Sequence, residues 1–127
     1  MSKIKLGSTP KTFAPAHIKF TKPDGEEAEI VVTYKYRTRS QFGQFLDSIY
    51  KDAGEATPAA DKIDFKALTD KTRDKTADHL LDCVDAWDLD DKLSRENLQV
   101  LADEVPAAAA ALMAGYSAAC TEGRLKN

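Results

Sequence analysis

The amino-acid sequence predicts an α+β fold that is mainly helical, with an N-terminal antiparallel β-hairpin followed by about four α-helices. Apolar side chains alternate with polar ones over residues 13–37, which is the period of a half-buried strand. From residue 38 onward they recur every three or four residues, the period of an amphipathic helix. Because 127 residues match the size of one domain, we expect a single domain with four parts: an arm over 1–12, the hairpin over 13–37, a helical region over 38–122 and a polar tail over 123–127.

Two predicted strands form the hairpin. Their apolar side chains stand at every second position, at Ile18, Phe20, Ile30, Val32, Tyr34 and Tyr36. The connection between them contains Pro23 and Gly25. Proline presets one backbone dihedral of a turn and glycine accepts a positive φ, so this segment has the chemistry of a tight hairpin connection.

The first predicted helix begins next to Thr38. Thr38 and Gln41 are three residues apart, so each side chain can bond the backbone N–H of the other, as in a capping box. The apolar face that follows consists of Phe42, Phe45, Leu46, Ile49 and Tyr50. The pair Ala53-Gly54 predicts the end of this helix.

A long second helix is predicted after a loop over 54–60, with Asp61 or Asp64 as its N-cap. Its apolar stripe consists of Phe65, Leu68, Leu80, Cys83, Val84 and Trp87. We therefore expect the helix to reach Trp87, whose indole would anchor the following turn in the core. Residues 70–78 are polar on almost every side, which allows a break in the helix there.

Two further helices complete the predicted fold. Ser94 is a favourable N-cap for a short third helix. Pro106 ends that helix and opens the last one, because proline is favoured in the first turn of a helix. The last helix is rich in alanine and is predicted to stop at Gly123.

Composition and net charge make nucleic acid and membranes unfavourable partners for this protein. The formal net charge is −3, so no overall field attracts nucleic acid or an anionic membrane. The cysteines, Cys83 and Cys120, lack the density of a secreted disulfide framework. The N-terminus has no signal-peptide pattern, and the longest apolar run, over 106–114, is too short to span a bilayer. We expect a cytoplasmic protein that binds neither nucleic acid nor membrane.

Few residues suit catalysis or metal binding. His79 and Cys83 are four residues apart, the spacing of two metal ligands on a helix, but the other histidine and cysteine are single and distant. The aspartates at 85, 88, 90 and 91 lack the central glycine and the final glutamate of a calcium loop. We predict no catalytic residue, no metal and no cofactor. The alternative from another class is a metal-dependent enzyme that uses His79 and Cys83.

Basic residues concentrate over 35–39, next to Tyr34 and Tyr36. Such a segment could contact phosphates. We favour a strand end whose long cationic side chains reach solvent, because the neighbouring helices are acidic and would repel a nucleic-acid duplex.

The last predicted helix carries the candidate binding surface. Its alanines and Gly115 allow another helix to approach the backbone closely, and three larger side chains, Leu112, Met113 and Tyr116, are the predicted protein-binding residues. Internal packing against the other helices explains the same pattern, since alanine is also a strong helix former. Both interpretations stay open.

Several segments taken together resemble the tail assembly chaperones of long-tailed bacteriophages. They cover nearly the whole chain: KIKLGSTPKTF (3–13), VTYKYRTRSQFG (32–43), AWDLDDKLSRENLQVL (86–101), VPAAAAALMAGY (105–116) and TEGRLKN (121–127). The resemblance implies a protein of the host cytoplasm that binds the helical tape-measure protein, keeps it soluble and presents it to tail-tube subunits. It also implies absence from the finished virion and no catalytic residues.

The resemblance suggests further partners. Family members often have a longer form made by ribosomal slippage, and Leu125-Lys126-Asn127 can be encoded by a slippery A-AAA-AAC heptamer. Many copies per client are expected, and a homo-oligomer is allowed. The alternative function is a structural virion component, such as a tail-completion or head-tail connector protein.

Overall fold

The computed structural model describes the backbone of residues 6–56 and 65–122. This part of the chain contains three strands and four helices: β1 (Ala16–Thr21), β2 (Glu27–Tyr34), α1 (Arg39–Ala56), α2 (Phe65–Cys83), β3 (Val84–Trp87), α3 (Arg95–Glu104) and α4 (Pro106–Glu122). The predicted α+β class, with a hairpin followed by four helices, is confirmed. The two predicted N-caps at 61 and 64 and the polar tail over 123–127 lie outside the described residues.

Strands β1 and β2 form the predicted hairpin. They pair antiparallel from Ala16 opposite Val32 to Thr21 opposite Glu27. Gly25 has a φ of +91° in the connecting turn, where its N–H donates to the Lys22 carbonyl at 2.9 Å. The alternation holds, because the even-numbered side chains of both strands face the core.

The third strand corrects the prediction that the second helix reaches Trp87. Helix α2 continues without a break through 70–78 but ends at Cys83, and Val84–Trp87 then pairs antiparallel with the free edge of β2. Valine and tryptophan favour strands, and apolar residues three apart cannot distinguish one helical turn from a short strand. Trp87 is only partly buried, and its indole N–H donates to the Asp91 carbonyl at 2.8 Å, so it holds the corner after β3.

The basic segment after β2 caps the C-terminal end of α2. The Lys35 N–H donates to the Cys83 carbonyl at 2.8 Å, and Arg37 Nη1 donates to the Asp82 carbonyl at 3.2 Å. These groups satisfy carbonyls that a helix end leaves without partners, and the cations suit its negative end. The cluster over 35–39 therefore has a structural role at the strand end.

Local capping sets the starts of α1 and α3 as predicted. The Thr38 hydroxyl accepts the Gln41 N–H at 3.2 Å, while the Thr38 N–H donates to the Gln41 side chain at 2.9 Å. The Ser94 hydroxyl accepts the Asn97 N–H at 3.2 Å at the start of α3. Helix α1 continues two residues past the predicted stop at Gly54, to Ala56.

Tyr116 of α4 lies at the centre of an aromatic cluster in the core. Four rings surround it, with centroids 5.2–6.5 Å away: Phe13, Tyr34, Phe42 and Phe45. Its buried hydroxyl accepts from Arg37 Nη1 at 2.7 Å and donates to the Lys35 carbonyl at 3.1 Å. The ring thus joins α4 to the segment before β1, to β2, to α1 and to the cap of α2.

Gly115 sets the distance between α4 and the sheet. A Cβ atom there would lie 2.6 Å from Ile18 Cδ1 and 2.7 Å from the Tyr34 hydroxyl. That hydroxyl donates to the Leu112 carbonyl at 2.6 Å, so it is held in place by the helix it touches. No side chain larger than hydrogen fits at this position without a shift in the neighbouring residues.

We predict that Gly115→Ala lowers the free energy of unfolding by about 1–3 kcal/mol, because the new methyl overpacks this contact. Gly43→Ala is the matched control. Gly43 lies in α1 with open space around its missing Cβ, so alanine there should raise the free energy of unfolding by up to about 1 kcal/mol. Urea denaturation measures both changes. Effects of the same sign in the two variants would contradict the close approach.

Tyr34→Phe separates the contribution of Tyr34 to this contact from that of Ile18. This change removes the hydroxyl beside the new methyl and also its hydrogen bond to Leu112, at a cost of about 1 kcal/mol. The penalty of Gly115→Ala should be smaller in the Tyr34→Phe background. If the two penalties simply add, then Ile18 sets the helix distance and Tyr34 does not.

Candidate protein-binding surface

The three predicted binding residues occupy different environments. Leu112 and Tyr116 are 0% exposed and belong to the core. Met113 is partly buried and packs against the edge of that core. In this conformation only Met113 reaches the surface, because the larger side chains of α4 fill the space over the sheet. Their binding role stays a prediction.

The exposed part of α4 is a stripe of small side chains. Ala107, Ala110 and Ala114 are exposed, and Ala118 beyond them is partly exposed. Their spacing of three or four residues places them along one side of the helix, over about 16 Å at 1.5 Å per residue. We call these residues the alanine stripe.

A groove of about 510 Å³ lies between α4 and strand β1. Helix α4 contributes small side chains, among them Ala111, Ala114 and Ala118, and the strand contributes residues 17–19. Close packing at Gly115 brings the helix and the strand together there, so the groove has a firm floor. Its volume is in the range of sites that hold small ligands or peptide side chains.

Sequence reasoning missed the strand side of this groove. His17 and Lys19 point away from the core on β1, and only the tertiary structure shows that their strand borders α4. The His17 ring lies 2.8 Å from the Glu29 carboxylate, whereas Lys19 is exposed and forms no ion pair with another described residue. The glycine within an alanine-rich helix was the available signal, since a glycine in a helix interior often marks a close packing contact.

Cys83, the candidate metal ligand of the alternative enzyme hypothesis, is fully buried in the core. Burial, opposed in part by the nearby Arg37, raises the pKa of its thiol from 9.0 to about 12, so the thiolate that a metal or a nucleophilic attack needs is scarce at neutral pH. His79 packs edge-on against Phe45, with centroids 5.9 Å apart. Within residues 6–56 and 65–122, no group of three His, Cys, Asp or Glu side chains could hold a metal ion.

The acidic corner also has structural contacts. The Asp88 carboxylate accepts the Val31 N–H at 2.9 Å, and the Asp88 N–H donates to the Val31 carbonyl at 3.1 Å. These bonds extend the pairing of β2 with β3 by one residue. Asp88 is thus part of the sheet edge.

A family model described as phage tail assembly chaperone matches residues 1–127, the whole chain. The protein belongs to this chaperone family. The match confirms the resemblance seen in the sequence. Comparison of this tail assembly chaperone with curated proteins and with solved structures finds no significant match.

In the part of the chaperone that the structure describes, no single helix is long and apolar enough to cross a bilayer. Helices α3 and α4 together meet the length and composition criteria, and they are bent by 115° where they join.

We predict that the chaperone loses stability between pH 9 and pH 12 and that Cys83 accounts for part of the loss. Below pH 9 the thiol is protonated in both states. Above it the unfolded thiol ionises while the folded one, with its pKa raised to about 12, does not, so the free energy of unfolding falls by up to about 1.4 kcal/mol per pH unit.

Urea denaturation at pH values from about 8 to about 11, in steps of about one unit, measures this slope. Cys83→Ala should give a flatter curve, whatever its effect on the stability at pH 8. Burial also raises the pKa of Cys120, Tyr34 and Tyr116, so part of the slope remains in the variant. Parallel curves for the parent and Cys83→Ala would contradict the prediction.

Proposed function

We propose that this chaperone binds the tape-measure protein, keeps it soluble until the tail tube assembles around it, and is absent from the finished virion. It would act in the host cytoplasm by binding, without catalysing a reaction. The alanine stripe of α4 is the observation that carries this proposal, together with membership of the family.

The physical argument starts from the client. A long helical protein that is not yet assembled carries an apolar stripe that would aggregate. A helix with exposed small side chains lets a second helix approach closely without demanding one particular sequence. In this chaperone the stripe is supported from below by the buried Leu112 and Tyr116. Weak contacts repeated along one filament then add through effective concentration.

Co-expression with the tape-measure protein tests the proposal. We predict that the parent chaperone moves this client from the pellet to the soluble fraction and co-purifies with it. Ala110→Glu should weaken co-purification, because it places a charge on the alanine stripe while the exposed site leaves stability within about 0.5 kcal/mol. Ser40→Glu adds the same charge at an exposed position on α1 and should leave co-purification unchanged.

Mass spectrometry of purified virions separates the chaperone from the structural alternative. A chaperone should be missing from the particles, whereas a tail-completion or connector protein should be present in a fixed copy number. A tape measure that stays insoluble with the parent chaperone would contradict the proposed client.

We also propose a longer form of the chaperone made by slippage at residues 125–127. The nucleotide sequence checks this prediction directly: codons reading AAA-AAC for Lys126-Asn127, with an open minus-one frame downstream of them, would support it. A lysine codon AAG, or a minus-one frame closed within a few codons, would remove the mechanism at this position.

A further inference from the structure

Strand β1 has one edge that no other described strand covers, since the sheet order is β1-β2-β3. The pairing tells which of its backbone groups face this edge. The Lys22 N–H donates to the Glu26 carbonyl at 2.8 Å, which marks a hydrogen-bonded pair in the β1–β2 register. Hydrogen-bonded pairs recur at every second residue of an antiparallel ladder, so the groups of Ala16, Ile18 and Phe20 point toward β2.

The intervening residues therefore point outward. The N–H and C=O groups of His17 and Lys19 face the open edge, and these two residues also line the groove beside α4. The hydrogen bonds on the other side of β2 agree with this assignment. The backbone groups of the odd-numbered Val31 point toward β3, where they bond Asp88. One wall of the groove is thus a row of backbone donors and acceptors that have no hydrogen-bond partner among the described residues, and the other wall is a helix with small side chains.

We propose that this groove binds an extended segment of a partner protein as a fourth strand next to β1. The segment alternates small apolar side chains, which face Ile18 and the alanines of α4, with carboxylates on the opposite side. Backbone hydrogen bonds to His17 and Lys19 supply affinity, and pockets for alternate side chains supply specificity, as in other cases of strand addition.

The groove suits a strand better than a helix. Backbone groups that are already folded into a helix cannot pair with the edge, whereas an extended chain satisfies the edge and its own backbone together. Most residues of α4 that line the groove have small side chains. Ala111, Ala114 and Ala118 leave space for partner side chains of the size of alanine or valine.

Charge selects the partner. On the solvent side of the sheet Glu29 lies directly opposite Lys19 in the register, but its carboxylate bonds His17 at 2.8 Å. Lys19 is left as an exposed cation next to the open edge. Glu122 lines the groove on the α4 side, so the carboxylates of an added strand would face away from the helix. A carboxylate opposite Lys19 on the added strand would complete a favourable cross-strand pair.

A second copy of β1 is a poor occupant by the same criterion. In the antiparallel register that pairs the centres of two β1 strands across this edge, Lys19 lies opposite the Lys19 of the other copy, and like charges directly opposite are unfavourable. A lysine in the middle of an edge strand is a known protection against such self-pairing. The occupant is therefore a different, acidic segment.

This inference goes beyond the proposed binding of a helical tape measure, because it concerns extended chain and its test does not need that client. The probe is the synthetic peptide Ac-Gly-Glu-Val-Glu-Val-Glu-Gly-NH2, with the lysine counterpart Ac-Gly-Lys-Val-Lys-Val-Lys-Gly-NH2 as control. Amide hydrogen exchange of the full chain, followed by NMR, is the readout.

The glutamate peptide should slow exchange of the His17 and Lys19 amides about tenfold at ten times its Kd. The Ile18 and Phe20 amides, which already bond β2, should change little, and the lysine peptide should protect none of them. Lys19→Glu should weaken the glutamate peptide by about three- to tenfold and strengthen the lysine peptide. Ala114→Leu fills the groove and should abolish binding.

Ala86→Leu is the matched control, because Ala86 is exposed on β3, at the other edge of the sheet, and does not line the groove; this variant should bind the glutamate peptide like the parent. Unchanged exchange at His17 and Lys19, or equal protection by the two peptides, would overturn the proposal. Protection of these amides that grows with protein concentration alone would also overturn it, in favour of a second copy. If the chaperone solubilises the tape measure but does not bind the glutamate peptide, only the strand-addition proposal is refuted, and the proposed binding of the tape measure is not affected.

Discussion

Helix α4 lies against the sheet at a distance that Gly115 makes possible, and most of the core follows from this contact. With no Cβ in the way, the Tyr34 hydroxyl reaches the Leu112 carbonyl, and Ile18 fills the space beside it. The next residue, Tyr116, is then deep enough to pack against rings from the segment before β1, β2 and α1. A few tenths of an ångström matter because interiors packed at native density have few voids to absorb a shift.

Two charged side chains, Arg37 and Asp88, connect neighbouring elements of this protein. Arg37 lies over the Phe45 ring at 4.4 Å while it bonds the Tyr116 hydroxyl and the Asp82 carbonyl. It couples the end of α2 to the aromatic cluster, and a guanidinium suits this role because it stacks and donates several hydrogen bonds at once. Asp88 similarly completes the sheet edge. These contacts account for the basic segment and for part of the acidic corner.

The same scaffold exposes two surfaces that share Ala114 and Ala118 but differ in chemistry. The alanine stripe offers a smooth helix face, and the groove adds the edge of β1 that no other described strand covers. Both depend on Leu112 and Tyr116 turning inward while Ala107, Ala110 and Ala114 face outward. An assembly factor benefits from this division, since a firm core can support shallow surfaces that bind and release a client.

Local signals in the sequence determined the hairpin and the starts of α1 and α3, whereas the family was indicated by resemblance over several segments. Alternation, the Thr38–Gln41 box and Ser94 act through neighbouring residues, so they can be read without the rest of the chain. The third strand, the burial of Leu112 and Tyr116, and the groove were decided by tertiary structure. Val84 becomes a strand residue because β2 offers an edge, and an alanine-rich helix has no strong apolar face until Gly115 meets the sheet.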